Sequence, residues 1–306
     1  MTDYGHDLLF GTFVTPSARS PEHVLDLAIA ADRAGLDLVT FQDHPYQAAF
    51  LDTWTLLTFV AARTQHIHVS GNVLSLPLRP PAMLARAAAT LDVLSGGRFE
   101  LGIGAGASWD GIVAMGGRRL TPRQGVEALQ EAIGLIRDLW NTEATDVLRR
   151  DGDFYPTIGA KRGPKPAHDI RIWVGAYKPR MLALTGAHAD GWLPSIEYLP
   201  AGTASLPELN RRIDDAAARA NRLPSQIRRL MNFMNVDFSS NGLGSLTGNP
   251  GEWTDRLATL VLEHGISAFL IGGDDLITTE RFAAEVAPAV REIVTRERAS
   301  YSEMID

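Results

Sequence analysis

Short apolar runs rich in strand formers alternate with stretches of helical periodicity eight times along this chain, and no other feature constrains its fold as tightly. Leu8 to Val14 is the first such run, after which Ser20 and Pro21 suit an N-cap and a first helical position. Val24, Ala28 and Ala31 then recur at helical spacing, as do Leu25 and Ile29, until Gly35 supplies a stop. The same logic places further strands at 37–41, 67–73, 98–104, 171–175, 191–194, 229–238 and 267–271. Helices are expected at 52–63, 81–94, 121–140 and 179–188, from Ser205 onward, and at 253–264 and 279–297. Thr121, Pro122 and Gln124 form the sequence of a capping box, and Ser205, Pro207 and Glu208 open another capped helix.

Short apolar strands separated by amphipathic helices imply a parallel sheet covered by helices, and eight such units close naturally into an α/β fold of the (β/α)8 TIM barrel type. A doubly wound open sheet is the other arrangement this pattern permits. Because the alternation runs from Leu8 to the final helix, all of 1–306 is expected to form a single barrel domain. Two segments exceed a minimal barrel: 105–120 follows strand four, and 141–169 precedes strand five with Gly152, Pro156, Gly159, Gly163, Pro164 and Pro166. Both are expected to be insertion loops and lid candidates, since long connections in compact domains usually serve a site.

Composition removes several function classes. The 29 Lys and Arg against 36 Asp and Glu leave a net charge of -7, so nothing electrostatic favours a nucleic-acid backbone as partner. Cysteine is absent, which excludes disulfides, thiolate nucleophiles and Cys-based zinc sites. The histidines show no HExxH spacing, and His66 with His68 begins a strand, the wrong end for barrel chemistry, so no metal is expected. No GxSxG elbow or P-loop occurs. The opening MTDYGHDLLFGTFV lacks the basic and long apolar regions of a leader, and no segment reads as a membrane span, which makes the cytoplasm the expected location.

In a barrel of this kind catalytic groups sit at the C-terminal ends of the strands. Strand two ends in Gln42-Asp43-His44, a carboxylate beside an imidazole that titrates near neutrality and is suited to proton transfer. The same pair also reads as a capping Asp beside a structural His. Strand three ends in Gly71-Asn72-Val73, where Gly and Asn interrupt an apolar run, as at a bulge, a ligand contact or a barrel corner. Strand four runs into Gly102-Ile103-Gly104-Ala105-Gly106, a fragment of a dinucleotide fingerprint without the immediate apolar helix that would complete it. Strand five ends in Gly175-Ala176-Tyr177-Lys178, directly before a helix opening on Pro179, a sensible phosphate site because free amides and the helix dipole meet there with a lysine. Lys161, Arg162 and Lys165 form a basic cluster that reads as a solvated loop or as a contact for an anionic cofactor tail.

Taken in order, AADRAGLDLVTFQDH at 30–44, the run from 62 to 106 that contains TLDVLSGGRFELGIGAG, and IWVGAYKPRMLALTGAHADGWLPS at 172–195 resemble the luciferase-like monooxygenase and F420-dependent oxidoreductase superfamily. The resemblance implies a tricyclic flavin or deazaflavin lying across the strand ends, with its phosphate near the helix after strand five. By that analogy Asp43 and His44 border the ring and the substrate, His44 exchanging a proton and Asp43 orienting it or the cofactor. Asn72-Val73 falls where the family often has a non-prolyl cis peptide. Gly104 and Gly106 leave room beside the ring, Ala176, Tyr177 and Lys178 contact phosphate, and Ser195 offers another hydroxyl. Ala107 stands where the sugar-phosphate dehydrogenases of the family carry a catalytic glutamate, which argues against that substrate class. Asp43-His44-Pro45 replaces the Glu-His-His of luciferases and tilts the cofactor towards F420, with FMN as the alternative.

The resemblance therefore implies hydride transfer between F420 and a small organic substrate. An FMN-dependent monooxygenase using oxygen and a non-catalytic flavin-binding barrel are the competing readings. A homodimer is the expected assembly, as is common in the family.

Overall fold

The computed structural model describes residues 3–239 and 244–303 of the chain. Eight parallel strands of the nine-stranded central sheet form the barrel, Leu9–Val14, Leu38–Phe41, His68–Gly71, Phe99–Gly104, Ile172–Val174, Gly191–Trp192, Arg228–Phe233 and Ile266–Gly272, here strands one to eight; the ninth, Leu74–Ser75, pairs with the end of strand four. The order of the eight is 3-2-1-8-7-6-5-4, and pairing of Val69 with Phe99 joins strand three to strand four and closes the barrel. That closure excludes the open sheet.

The helices follow as the periodicity requires: Pro21–Arg33, Thr53–Ala61, Pro81–Ser95, Pro122–Trp140, Pro179–His188, Leu206–Arg219, Pro250–His264 and a last stretch from Leu276 to Glu303. Thr121 and Gln124 make the expected reciprocal capping box. Ser205 does not cap its helix; its hydroxyl instead accepts from the Ala201 amide and donates to the Gly202 carbonyl. The seventh helix begins at Pro250 rather than Trp253, because Asn249 and Glu252 build a capping box that the apolar periodicity does not reveal. Strand seven stops at Phe233 instead of continuing to Phe238, since the amides of Met234 and Asn235 leave the sheet to donate to Glu197.

Alternation along the strands divides the core in two. Val39, Phe41, Ile172, Val174, Met231, Phe233, Phe269 and Ile271 face the helices, whereas Leu38, Trp173, Leu193, Leu230, Ala268 and Leu270 form a separate cluster that fills the barrel's interior. This inner plug splits the lumen into two mouths.

The two insertions are more ordered than loops. Residues 105–120 contain a helical turn at Trp109–Ala114, and 141–169 contain an antiparallel hairpin, Leu148–Arg150 against Thr157–Ala160. The hairpin lies along the fourth helix: the amides of Phe154 and Tyr155 donate to Glu131, and Arg150 pairs with Asp138 at 2.5 Å. Farther on, His168 is pinned to Asp92 at 2.8 Å. Segment 141–169 is thus fastened to the flank and bottom of the barrel and contributes nothing to the lining of the upper mouth, which removes it as a lid.

Candidate active site

The C-terminal mouth holds a pocket of about 560 Å³, within the usual range for small-molecule sites. Asp43, His44, Asn72, Val73, Gly104, Gly106, Tyr177, Lys178 and Ser195 all line it, so residues from the ends of five successive strands converge there. Ala176 is the exception: it is buried behind the wall, and its carbonyl accepts from the Trp192 indole at 2.8 Å.

Asp43 is almost fully buried, and its carboxylate is occupied. Arg79 donates to both oxygens, from Nε at 2.8 Å and from Nη2 at 2.7 Å, while the Ser75 amide donates to Oδ2 at 2.8 Å. Arg79 also reaches Asp52, which caps the second helix through the Thr55 amide. Between these two carboxylates the guanidinium is held well above its ordinary pKa, the bonds to Asp43 outweighing the opposing effect of burial. No hydrogen bond joins Asp43 to His44 among the described residues.

His44 is half-buried, and loss of solvent lowers its pKa, partly offset by the charge of Asp43. Its Nδ1 meets the Tyr46 hydroxyl at 2.7 Å, and among the described residues Nε2 has no hydrogen-bond partner. A half-buried imidazole that stays neutral near physiological pH and keeps one nitrogen open to a pocket is equipped to exchange a proton.

The floor is an amide pair. Asn72 Nδ2 donates to Asn232 Oδ1 at 2.8 Å, and Asn232 Nδ2 donates back to Asn72 Oδ1 at 3.1 Å and to Ser195 Oγ at 3.1 Å. The Asn72-Val73 peptide is cis, as the resemblance implies. Val73 explains the glycines differently from the sequence reading. A Cβ at Gly104 would stand 2.7 Å from Val73 Cγ2, and one at Gly106, whose φ is +94°, would stand 2.8 Å from Pro77 Cγ. Close packing inside the wall already requires both glycines, whatever lies in the pocket.

Several groups fit a ring-bearing phosphate cofactor. Val73, Leu74, Ala105, Met181, Leu193 and Met234 give an apolar lining, and the Ser75 hydroxyl is a buried polar atom without a partner. At the far side Lys178 is exposed ahead of the helix Pro179–His188, whose first-turn amides have no intrahelical acceptor. Among the described residues no cluster of His, Cys, Asp or Glu could hold a metal ion.

Sequence reasoning missed Arg79, Asn232 and Tyr46. Asn232 interrupts an apolar strand near its end just as Asn72 does, so the criterion that selected one would have found the other. Arg79 and Tyr46 lie beyond their strands, and no periodic pattern marks them.

A closed parallel barrel with its pocket at the C-terminal mouth defines a barrel protein that works at its strand ends. Within that class the chain belongs to the luciferase-like monooxygenase family, whose model matches residues 3–236. A phthiodiolone/phenolphthiodiolone dimycocerosates ketoreductase of Mycobacterium kansasii is 30% identical over 273 residues, covering 82% of this chain and 71% of the relative. An F420-dependent glucose-6-phosphate dehydrogenase of Kribbella flavida is 33% identical over 181 residues, covering 56% of this chain. The match spans 53% of that relative's own length. Both named relatives are oxidoreductases. Among solved structures, an F420-dependent secondary alcohol dehydrogenase in complex with an F420-acetone adduct superimposes with a TM-score of 0.80 at 20% identity, covering 93% of this chain and 99% of the other. The oxygenating constituent of 3,6-diketocamphane monooxygenase of Pseudomonas putida, in complex with FMN, gives 0.74 at 16% identity, covering 92% and 99%. At those identities the structural likeness speaks for the fold.

Proposed function

We propose that this chain is an F420-dependent oxidoreductase that interconverts a small, uncharged alcohol and its carbonyl compound. The observation that carries the reading is His44 Nε2, left without a partner among the described residues in a largely apolar pocket that also offers an anion-binding helix start. The dehydrogenase and ketoreductase relatives support the same chemistry.

In this reading Lys178 and the first amides of the helix Pro179–His188 hold the cofactor phosphate, and Val73, Leu74 and Leu193 bear against its ring. When bound, F420 supplies two-electron hydride chemistry. His44 Nε2 takes the proton shed by a substrate hydroxyl and returns it to a carbonyl oxygen in the reverse direction. Asp43, spent on Arg79 and the Ser75 amide, holds the end of strand two in place and leaves proton exchange to His44.

Substrate charge follows from which cations are free. Among the described residues that line the pocket Lys178 is the one Lys or Arg, and it stands at the phosphate end; Arg79 is consumed by Asp43 and Asp52. A neutral substrate fits this wall, whereas the sugar phosphate named for the Kribbella flavida relative would lack a counter-charge. Exposed Phe59, Met83 and Leu94 on the second and third helices further support a homodimer that covers them. Sedimentation of the wild type and of Met83→Glu tests that assembly.

The decisive experiment is titration of the purified protein with F420 and with FMN, followed by turnover of secondary alcohols under anaerobic conditions. Tighter F420 binding with oxygen-independent turnover is the expected result. At least tenfold tighter FMN binding, about 1.4 kcal/mol, or oxygen consumed in step with product would replace this reading by an FMN-dependent monooxygenase.

A further inference from the structure

His44 takes its only polar contact among the described residues from Tyr46, whose hydroxyl lies 2.7 Å from Nδ1, with the two rings tilted by 46°. Phe50 packs on the imidazole as well, at 6.3 Å between ring centroids. The helical turn Trp109–Ala114 of the 105–120 insertion runs beside Tyr46. Gly111 in that turn lies against the tyrosine ring so closely that a Cβ there would stand 2.6 Å from Tyr46 Cγ. Tyr46 is therefore clamped between the imidazole and the 105–120 insertion.

A neutral imidazole carries one proton, and the bond made at one nitrogen decides the state of the other. If Tyr46 donated to Nδ1, Nε2 would carry the proton and face the pocket as a donor with nothing to accept. If Tyr46 accepts from Nδ1–H, Nε2 presents a lone pair that can take a proton, and after protonation Nδ1–H keeps its acceptor in the same geometry.

We propose that Tyr46 is the positioning residue of the site: it accepts from His44 Nδ1–H while its ring rests on Gly111, and so fixes Nε2 as the basic nitrogen while coupling it to the 105–120 insertion. The assignment rests on the reading of His44 as the proton-exchanging group, yet its first readout is independent of turnover.

The test is long-range ¹H–¹⁵N spectroscopy of histidine-labelled protein above the pKa of His44, in wild type, Tyr46→Phe and Gly111→Val. The wild type is expected to show the Nδ1–H tautomer. Tyr46→Phe removes the acceptor, and Gly111→Val pushes the ring away without removing the hydroxyl, so both should move the population towards Nε2–H. Tyr46→Phe should also lower kcat at least tenfold with less than a threefold change in KM. A wild-type Nε2–H tautomer, or a tautomer unmoved by Tyr46→Phe, overturns the proposal. His44→Ala measured alongside separates the two ideas: full turnover in that variant sinks His44 as the base while the tautomer result stands on its own.

Discussion

The barrel's two mouths differ in a way that size alone misrepresents. The N-terminal mouth has the larger cavity, about 1020 Å³ against about 560 Å³ at the C-terminal mouth, and it is richer in charge. Its charged groups are nevertheless mostly paired with one another. Arg137 and Arg222 share Asp190, Arg171 meets Asp169, Asp37 holds Arg291, and Glu100 accepts from His168 and the Arg171 amide. Arg228, for its part, donates to the Asp7 carbonyl. At the C-terminal mouth the polar groups that matter are few but open: His44 Nε2, Lys178 and the amides of a helix start. What distinguishes a site is polar capacity left unspent rather than volume or charge.

The largest effect that sharpens this contrast is expected inside the upper mouth. Asp43→Ala should cost about 3 kcal/mol of stability by denaturant unfolding, because Arg79 loses its bidentate partner and the Ser75 amide its acceptor. A variant as stable as wild type would show that Asp43 is not the brace it resembles.

His168→Ala at the lower mouth should cost about 2 kcal/mol with unchanged turnover, since the fully buried Asp92 keeps its amide donors but loses the imidazole. The hydrogen bonds to Asp92 and Glu100 raise the His168 pKa from 6.5 to about 10. A raised pKa means that the contribution is complete below about pH 6.5 and fades as pH climbs through about 10. Wild-type stability should therefore decline over that interval, and His168→Ala should decline less. Equal slopes would dismiss the ion pair as a stabilising element.

His44→Ala should reverse the pattern, lowering turnover at least tenfold, about 1.4 kcal/mol in the barrier, with thermal unfolding and cofactor affinity little changed. The smallest effect is assigned to Lys178→Ala. One exposed cation near a phosphate contributes about 0.5–1 kcal/mol, so the cofactor Kd should rise a few-fold at low salt and less at high salt. A salt-insensitive change would move the phosphate elsewhere in the pocket.

The strands and helices were legible because their signals are local. The helix Pro179–His188 coincides with its sequence expectation, strands one and four differ from theirs by a residue at one end, and strand eight by a residue at each end. Errors arose where a distant group captured the backbone, as Glu197 does beyond Phe233, or where the capping residue lay ahead of the apolar run, as Asn249 does. Strand-end logic, with the family resemblance adding Ser195, also gathered nine of the ten singled-out residues into one pocket and misplaced only Ala176, one position from a residue that does line it.

The sequence by itself determined eight βα units and the mouth at which polar residues would meet, since periods of 2 and 3.6 and the polarity of βα connections are properties of neighbouring residues; its ordered motifs carried the resemblance to the family. Tertiary structure alone decided how each polar group is spent. Asp43 goes to Arg79 36 positions on, Asn72 to Asn232 160 positions on, and His44 Nδ1 to Tyr46, whose ring rests on Gly111 of the insertion. Pairing of buried donors and acceptors is settled only when closure of the barrel brings the partners within hydrogen-bond distance, and no local pattern records who those partners will be.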